Sequence, residues 1–125
     1  MKEEKMIESW KDLEVWQKAH QQVLDVYKLT QKFPSVERFR LVDQLCRASA
    51  SIPTNIAEGK GRSSLKEYIQ FLSIAKGSLE ETKYLLLLSK DLGYVDEKRY
   101  DGFVQNYDQV GKMLTSLIKS LRDRL

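Results

Sequence analysis

Residues 63–93 read SSLKEYIQFLSIAKGSLEETKYLLLLSKDLG. Tyr68, Leu72, Ala75, Leu79, Thr82 and Leu86 recur at alternating four and three, the period of an amphipathic α-helix. Phe71, Leu85 and Leu88 widen that stripe. Ser63 or Ser64 offers an N-cap oxygen, and Glu67 completes a capping box from Ser64. Gly93 suits the C′ position that ends a helix. One long helix with apolar residues on more than one stripe needs several neighbours to cover it.

The flanking segments supply them. Upstream, a helix is predicted from about Asp12 to Lys32, with Leu13, Trp16, Val23, Tyr27 and Thr30 on its stripe and Ala19, Val26 and Leu29 beside it. Phe33-Pro34-Ser35 ends it, because proline disfavours the helical region for the residue before it. Ser35 then caps a second helix with Glu37 in its first turn. That helix carries Phe39 or Leu41, then Leu45, Ala48, Ile52 and Ile56, and stops near Gly59 and Gly61. Pro53 lies inside it and removes a backbone donor. Two short helices meeting there is one arrangement; a kink at Pro53 is preferred, because the stripe keeps its phase. Downstream, Phe103, Tyr107, Val110, Leu114, Leu117 and Leu121 mark a fourth helix from about Asp96. No alternating Val/Ile/Thr-rich run suggests a strand. Short loops make neighbours antiparallel, so residues 10–125 read as a single all-α, up-down, antiparallel four-helix bundle behind a charged tail over residues 1–9.

Helices of about 22 residues are roughly 33 Å long, and Leu85-Leu86-Leu87-Leu88 covers nearly a full turn. That surplus of apolar surface points to burial against another subunit, or else to a thick core with some leucine exposed. At 125 residues, 42% hydrophobic and 31% charged, the chain is ordinary globular material. No apolar run is long enough to span a membrane, and MKEEKMIES is too charged for a signal peptide. A single cysteine, Cys46, forbids an internal disulfide and suits a reducing cytoplasm.

Tests for catalytic chemistry come out negative. A di-iron bundle uses Glu-x-x-His pairs, yet the one histidine, His20, follows Gln17 at that spacing. Zinc needs more His and Cys than one of each. Gly59-Lys60-Gly61-Arg62 lacks the frame of a phosphate loop. Cys46 reads as a small hydrophobe rather than a nucleophile. No enzyme, metal or cofactor is expected.

Charge is the more informative signal. The chain carries 21 Lys and Arg against 18 Asp and Glu, a formal +3. Residues 35–63 hold the excess: Arg38, Arg40, Arg47, Lys60 and Arg62 against Glu37, Asp43 and Glu58. Along helix two, Gln44, Arg47, Ser51, Asn55, Glu58 and Arg62 form a continuous polar stripe. As structure, these residues satisfy one another or reach Glu80 or Glu81 on helix three. As function, Arg40, Arg47, Lys60 and Arg62 meet phosphate, against the repulsion of Asp43 and Glu58. Trp10 and Trp16 read as plugs at a bundle end before base-stacking platforms. Lys119, Arg122 and Arg124 complement the dipole of the last helix.

Beyond period, particular strings carry a resemblance. Leu13-Glu14-Val15-Trp16-Gln17-Lys18-Ala19, then Phe33-Pro34, Gln44, Arg47-Ala48, Ser51-Ile52-Pro53-x-Asn55-Ile56-Ala57-Glu58-Gly59, and Tyr68-x-x-Phe71-Leu72-x-Ile74-Ala75-x-Gly77-Ser78-Leu79-x-Glu81 look like a bacterial family encoded in intervening sequences of 23S rRNA genes. The resemblance spans about residues 10–95. It implies a left-handed up-down bundle that assembles as a ring, a homopentamer, with no settled biochemical activity. A distant similarity is to the basic pentameric accessory protein of diversity-generating retroelements. Where the family usually has a basic pair, this chain has Cys46-Arg47, and Lys83 stands where an acidic residue is frequent. The first departure weakens a nucleic-acid surface on helix two; the second alters any acidic partner for Arg47. The resulting expectation is a non-enzymatic oligomer that associates with nucleic acid, RNA before DNA, with Arg38, Arg40, Lys60, Arg62, Arg122 and Arg124 on phosphate. Gln44, Arg47, Ser51, Asn55, Glu58 and Glu81 then form a structural polar network. The alternative is an adaptor for a protein partner that ignores nucleic acid.

Overall fold

The structure, a computed structural model, describes residues 9–125. It is a four-helix bundle: α1 Glu14–Thr30, α2 Asp43–Lys60, α3 Leu65–Asp91 and α4 Glu97–Arg122. Among the described residues there is no strand. α1 packs on α2 and α4, and α3 packs on α2 and α4, so the helices close a square in chain order. The tail expected over residues 1–9 lies outside the described residues except for Ser9. Its Oγ accepts from the Lys11 amide at 3.2 Å and caps a 3-10 turn, Trp10–Asp12.

Helix ends follow the local chemistry. Ser64 Oγ accepts from the Glu67 amide at 3.2 Å, one half of the expected capping box. Asp96 caps α4 through the Arg99 amide at 2.7 Å. Gly93 takes φ +85°, which lets the Gly93 and Tyr94 amides turn back to the Lys90 and Ser89 carbonyls, both at 2.9 Å.

The start of α2 differs from expectation. Ser35 does not cap it: Ser35–Glu37 is a 3-10 turn, Arg38–Val42 a π-helical turn, and the regular helix begins only at Asp43. The wider turn points Leu41 inward and leaves Phe39 85% exposed. α2 then runs unbroken through Pro53 as one helix, so two separate short helices do not form.

The core faces of α2 and α3 are as the stripes predict. In α1 the buried face is Val15, Ala19, Gln22, Val26, Leu29 and Thr30, while Tyr27 is exposed. Buried Gln22 occupies a position that an apolar count skips, so the stripe reads one residue out of phase. In α4, Ile118 rather than Leu117 fills the core after Leu114. Leu45, Ile52, Ile56, Leu72, Leu86 and Leu114 are fully buried at the centre, each contributing about 1.5–3 kcal/mol of transfer free energy.

α2 and α3 are the most closely packed pair. Gly59 makes this possible: a Cβ there would lie 2.8 Å from Phe71 Cβ and 3.0 Å from Tyr68 Cδ1. Further along, the Ser51 and Ser78 hydroxyls meet across the seam at 2.9 Å.

Candidate functional site

Helix direction sorts the six candidate arginines and lysines. Glu37 and Tyr94 are hydrogen-bonded, which places the α1–α2 connection against the α3–α4 turn at one end of the bundle. Trp10 lines a slot with Ala57 and Glu58, which places the start of α1 against the end of α2 at the other. Arg38 and Arg40 therefore sit at the first end. Lys60, Arg62, Arg122 and Arg124 follow the last turns of α2 and α4 at the second. The 18-residue span of α2 separates the groups by about 27 Å.

The two groups are also held differently. Arg40 Nε donates to Glu37 Oε1 at 3.0 Å, and the Tyr94 hydroxyl donates to Glu37 Oε2 at 2.8 Å. The Arg40 bond, then that from Tyr94, holds the Glu37 carboxyl below its ordinary range, and Glu37 in turn raises Arg40. Arg40 is thus tied through Nε into an internal clip, while its side chain stays 64% exposed. Arg38 lies 5.6 Å over the Phe39 ring and Arg62 lies 4.7 Å over that of Phe71. Lys60, Arg62, Arg122 and Arg124 form no ion pair among the described residues.

The six-residue polar network is realised only at its centre. Asn55 Nδ2 donates to the Ser51 carbonyl at 2.8 Å and to Ser51 Oγ at 3.0 Å, and Ser51 meets Ser78. Arg47 approaches Asp43 only at 3.9 Å and stays 81% exposed. Gln44, Glu58 and Glu81 are exposed and make no side-chain hydrogen bond among the described residues. The spacing of Gln44 and Glu58 along α2 is as read from the sequence, but the stripe turns toward solvent above and below the α2–α3 seam. Ser78, the partner on α3, stands in the Gly77-Ser78-Leu79 string that carries the resemblance, but nothing in the helical pattern marks it as the partner of Ser51.

Instead, much of the stripe lines a groove of about 930 Å³ beside the π-helical turn. Gln44, Arg47 and Ser51 face Glu81, Leu88 and Leu92 across it, with Phe39 at its rim. Glu37, Asp43 and Glu81 outnumber Arg40 and Arg47 among its charged residues. Along the same side of α3, Ile74, Gly77, Glu81, Tyr84 and Leu88 recur at helical spacing, and Ile74 and Tyr84 are exposed. A Cβ on Gly77 would meet nothing within 4 Å.

Elsewhere, Cys46 is half-buried, its Sγ 3.6 Å from Thr30 Oγ1, and burial pushes its thiol up. Trp10 and Trp16 pack partly against the core, and His20 stacks on Trp16 with centroids 5.0 Å apart. Among the described residues no three His, Cys, Asp or Glu side chains are grouped to hold a metal ion, and no helix is long and apolar enough to cross a membrane.

A square antiparallel bundle with a seam of small residues, a lateral groove and a cluster of basic side chains at one end is the class of protein these features define. Residues 11–116 match the family model described as 23S rRNA-intervening sequence protein, and the chain belongs to that family. It is similar to the crystal structure of a protein of unknown function from the S23 ribosomal protein family of Bacteroides thetaiotaomicron. The two share 26% identity and a TM-score of 0.78 over 84% of this chain and 95% of that one. A comparison with curated protein sequences gives no match.

Proposed function

We propose that the protein is a non-enzymatic, self-associating bundle that binds nucleic acid, RNA ahead of DNA, through its basic end. The observation that carries this reading is the convergence of Lys60, Arg62, Arg122 and Arg124 on one end, free of ion pairs among the described residues. Structured RNA offers loops and ends that such a compact surface can reach. A single chain of +3 holds phosphate weakly. A ring of five, as the family resemblance implies, brings about +15 and sums weak contacts by avidity. The exposed side of α3, with Ile74, Tyr84 and a sterically unexplained Gly77, supports self-association. Cys46, the single cysteine, agrees with a cytoplasmic setting.

A second reading, an adaptor for a protein partner, draws on the groove beside Phe39. Its apolar rim and excess of carboxylates suit a polypeptide better than a phosphate backbone. Fluorescence anisotropy of a labelled structured RNA and its DNA counterpart, at low and physiological salt, separates the two. The nucleic-acid reading expects binding that falls steeply with salt, and weaker binding with a flatter salt slope for the Arg62→Ala, Arg122→Ala double variant. Absence of binding at low salt removes it and leaves the adaptor.

A further inference from the structure

Both tryptophans of the chain and its one histidine meet in a single slot between α1 and α2. Trp10 and Trp16 have ring centroids 4.8 Å apart with planes tilted 57°. One turn further, the His20 ring lies parallel to Trp16, 5.0 Å away with an interplanar angle of 11°. Pro53, Thr54, Ala57 and Glu58 of α2 form the opposite wall, and the open space between the walls is about 360 Å³. A plug at the bundle end would be sealed. Here the tryptophans are half-buried and His20 is exposed, so the stack opens onto solvent.

We propose that this slot holds an unpaired base of a single-stranded RNA segment. A flat ring continues the Trp16–His20 stack, a sequence-tolerant source of affinity because every base has a π-face. Glu58 supplies selection. It is exposed, makes no hydrogen bond or ion pair among the described residues, and accepts only. Against a phosphate backbone that carboxylate is a liability. Against a base edge it is an acceptor for an exocyclic amine, so cytosine, which offers its 4-amino group, is taken over uracil, which presents a carbonyl oxygen there. Lys60 lies two residues beyond Glu58 at the same helix end, where a phosphate flanking the bound base would run, while Arg62 rests over Phe71 on the α3 side. The charges thus sit outside the slot and the stacking surface inside it.

This inference rests on the nucleic-acid reading, and its test keeps the two apart. Because the slot holds both tryptophans of the chain, emission excited selectively from tryptophan rather than from the six tyrosines reports the slot alone, whereas anisotropy of labelled RNA reports binding anywhere. Titration of the full chain with oligocytidylate is expected to quench the tryptophans in step with the anisotropy change, and oligouridylate to bind about tenfold more weakly. His20→Ala, an exposed change, should weaken oligocytidylate about tenfold. Glu58→Gln should narrow the cytosine-over-uracil preference while leaving stacking in place. Anisotropy without quenching overturns the slot and spares the nucleic-acid reading. Equal quenching by both oligomers, unchanged in Glu58→Gln, overturns the base-edge contact. No binding of either oligomer at low salt overturns the slot, and if the labelled structured RNA also fails to bind, the nucleic-acid reading falls with it.

Discussion

The Tyr94 hydroxyl and Glu37 are 57 residues apart in sequence and 2.8 Å apart in the fold. Glu37 also accepts from Arg40, and its residue is 5% exposed. Together the three side chains fasten the irregular connection before α2 to the turn after α3. Because the carboxylate is favoured in the folded state, the Glu37 pKa lies below its unfolded value. Its contribution to stability is therefore fully present above the unfolded pKa and disappears as pH falls through the folded one. Thermal melts should show a midpoint that declines on acidification below about pH 4.5, with a smaller decline for Glu37→Gln. Tyr94→Phe should lower the midpoint at neutral pH, because it withdraws a donor from a buried carboxylate. An unchanged pH profile in Glu37→Gln would assign acid sensitivity to other carboxylates.

What was legible beforehand divides along a physical line. Stripe spacing located all four helices and the core faces of α2 and α3, because burial of large apolar side chains at period 3.6 leaves its trace in one chain alone. The phase of α1 was missed, since Gln22 fills a core position with a polar side chain. The π-helical turn was missed too, because Arg38–Val42 contains neither Gly nor Pro to mark it. As for the site, the stripe Gln44, Arg47, Ser51, Asn55, Glu58, Arg62 is visible in the sequence, but the pairing of Ser51 with Ser78 depends on how α3 packs against it. The sequence reads Glu37 as a dipole-compensating residue in a first turn, and only the fold brings Tyr94 onto it beside Arg40.

Gly59 tests the α2–α3 seam. Replacing it with Ala improves intrinsic helix propensity by about 1 kcal/mol, yet the new Cβ would lie 2.8 Å from Phe71 Cβ. The atoms in the way are a side-chain root and the Tyr68 backbone carbonyl at 3.3 Å, neither a flexible tip. Overpacking of this kind costs about 1–3 kcal/mol, so Gly59→Ala should be net destabilising in urea unfolding. Equal or greater stability would mean that the helices move apart at little cost.

Tyr107 offers the opposite expectation. Its ring is fully buried, and its hydroxyl has no protein partner among the described residues. Burial raises its pKa strongly, so the phenol stays protonated. Tyr107→Phe keeps the ring and deletes a polar atom whose desolvation is uncompensated by any protein group. Stability in urea should be unchanged or higher by up to about 1 kcal/mol, whereas Tyr107→Ala should lose about 3–5 kcal/mol from the cavity. A clear loss in Tyr107→Phe would show that the hydroxyl is satisfied in solution.

Gly77 tests the proposed self-association. Glycine in the middle of a 27-residue helix costs roughly 0.5–1 kcal/mol relative to alanine, and nothing within the chain requires it, since a Cβ there has open space. It shares its side of α3 with exposed Ile74 and Tyr84, where a second subunit could approach the backbone closely. Gly77→Ala should then raise the unfolding free energy of the dissociated chain by about 0.5–1 kcal/mol and, in light-scattering measurements, shift the oligomer toward smaller species. Tyr84→Glu should dissociate it without the gain in stability. If Gly77→Ala stabilises the chain and leaves its mass unchanged, self-association uses another face and the groove rim at Phe39 becomes the surface to alter.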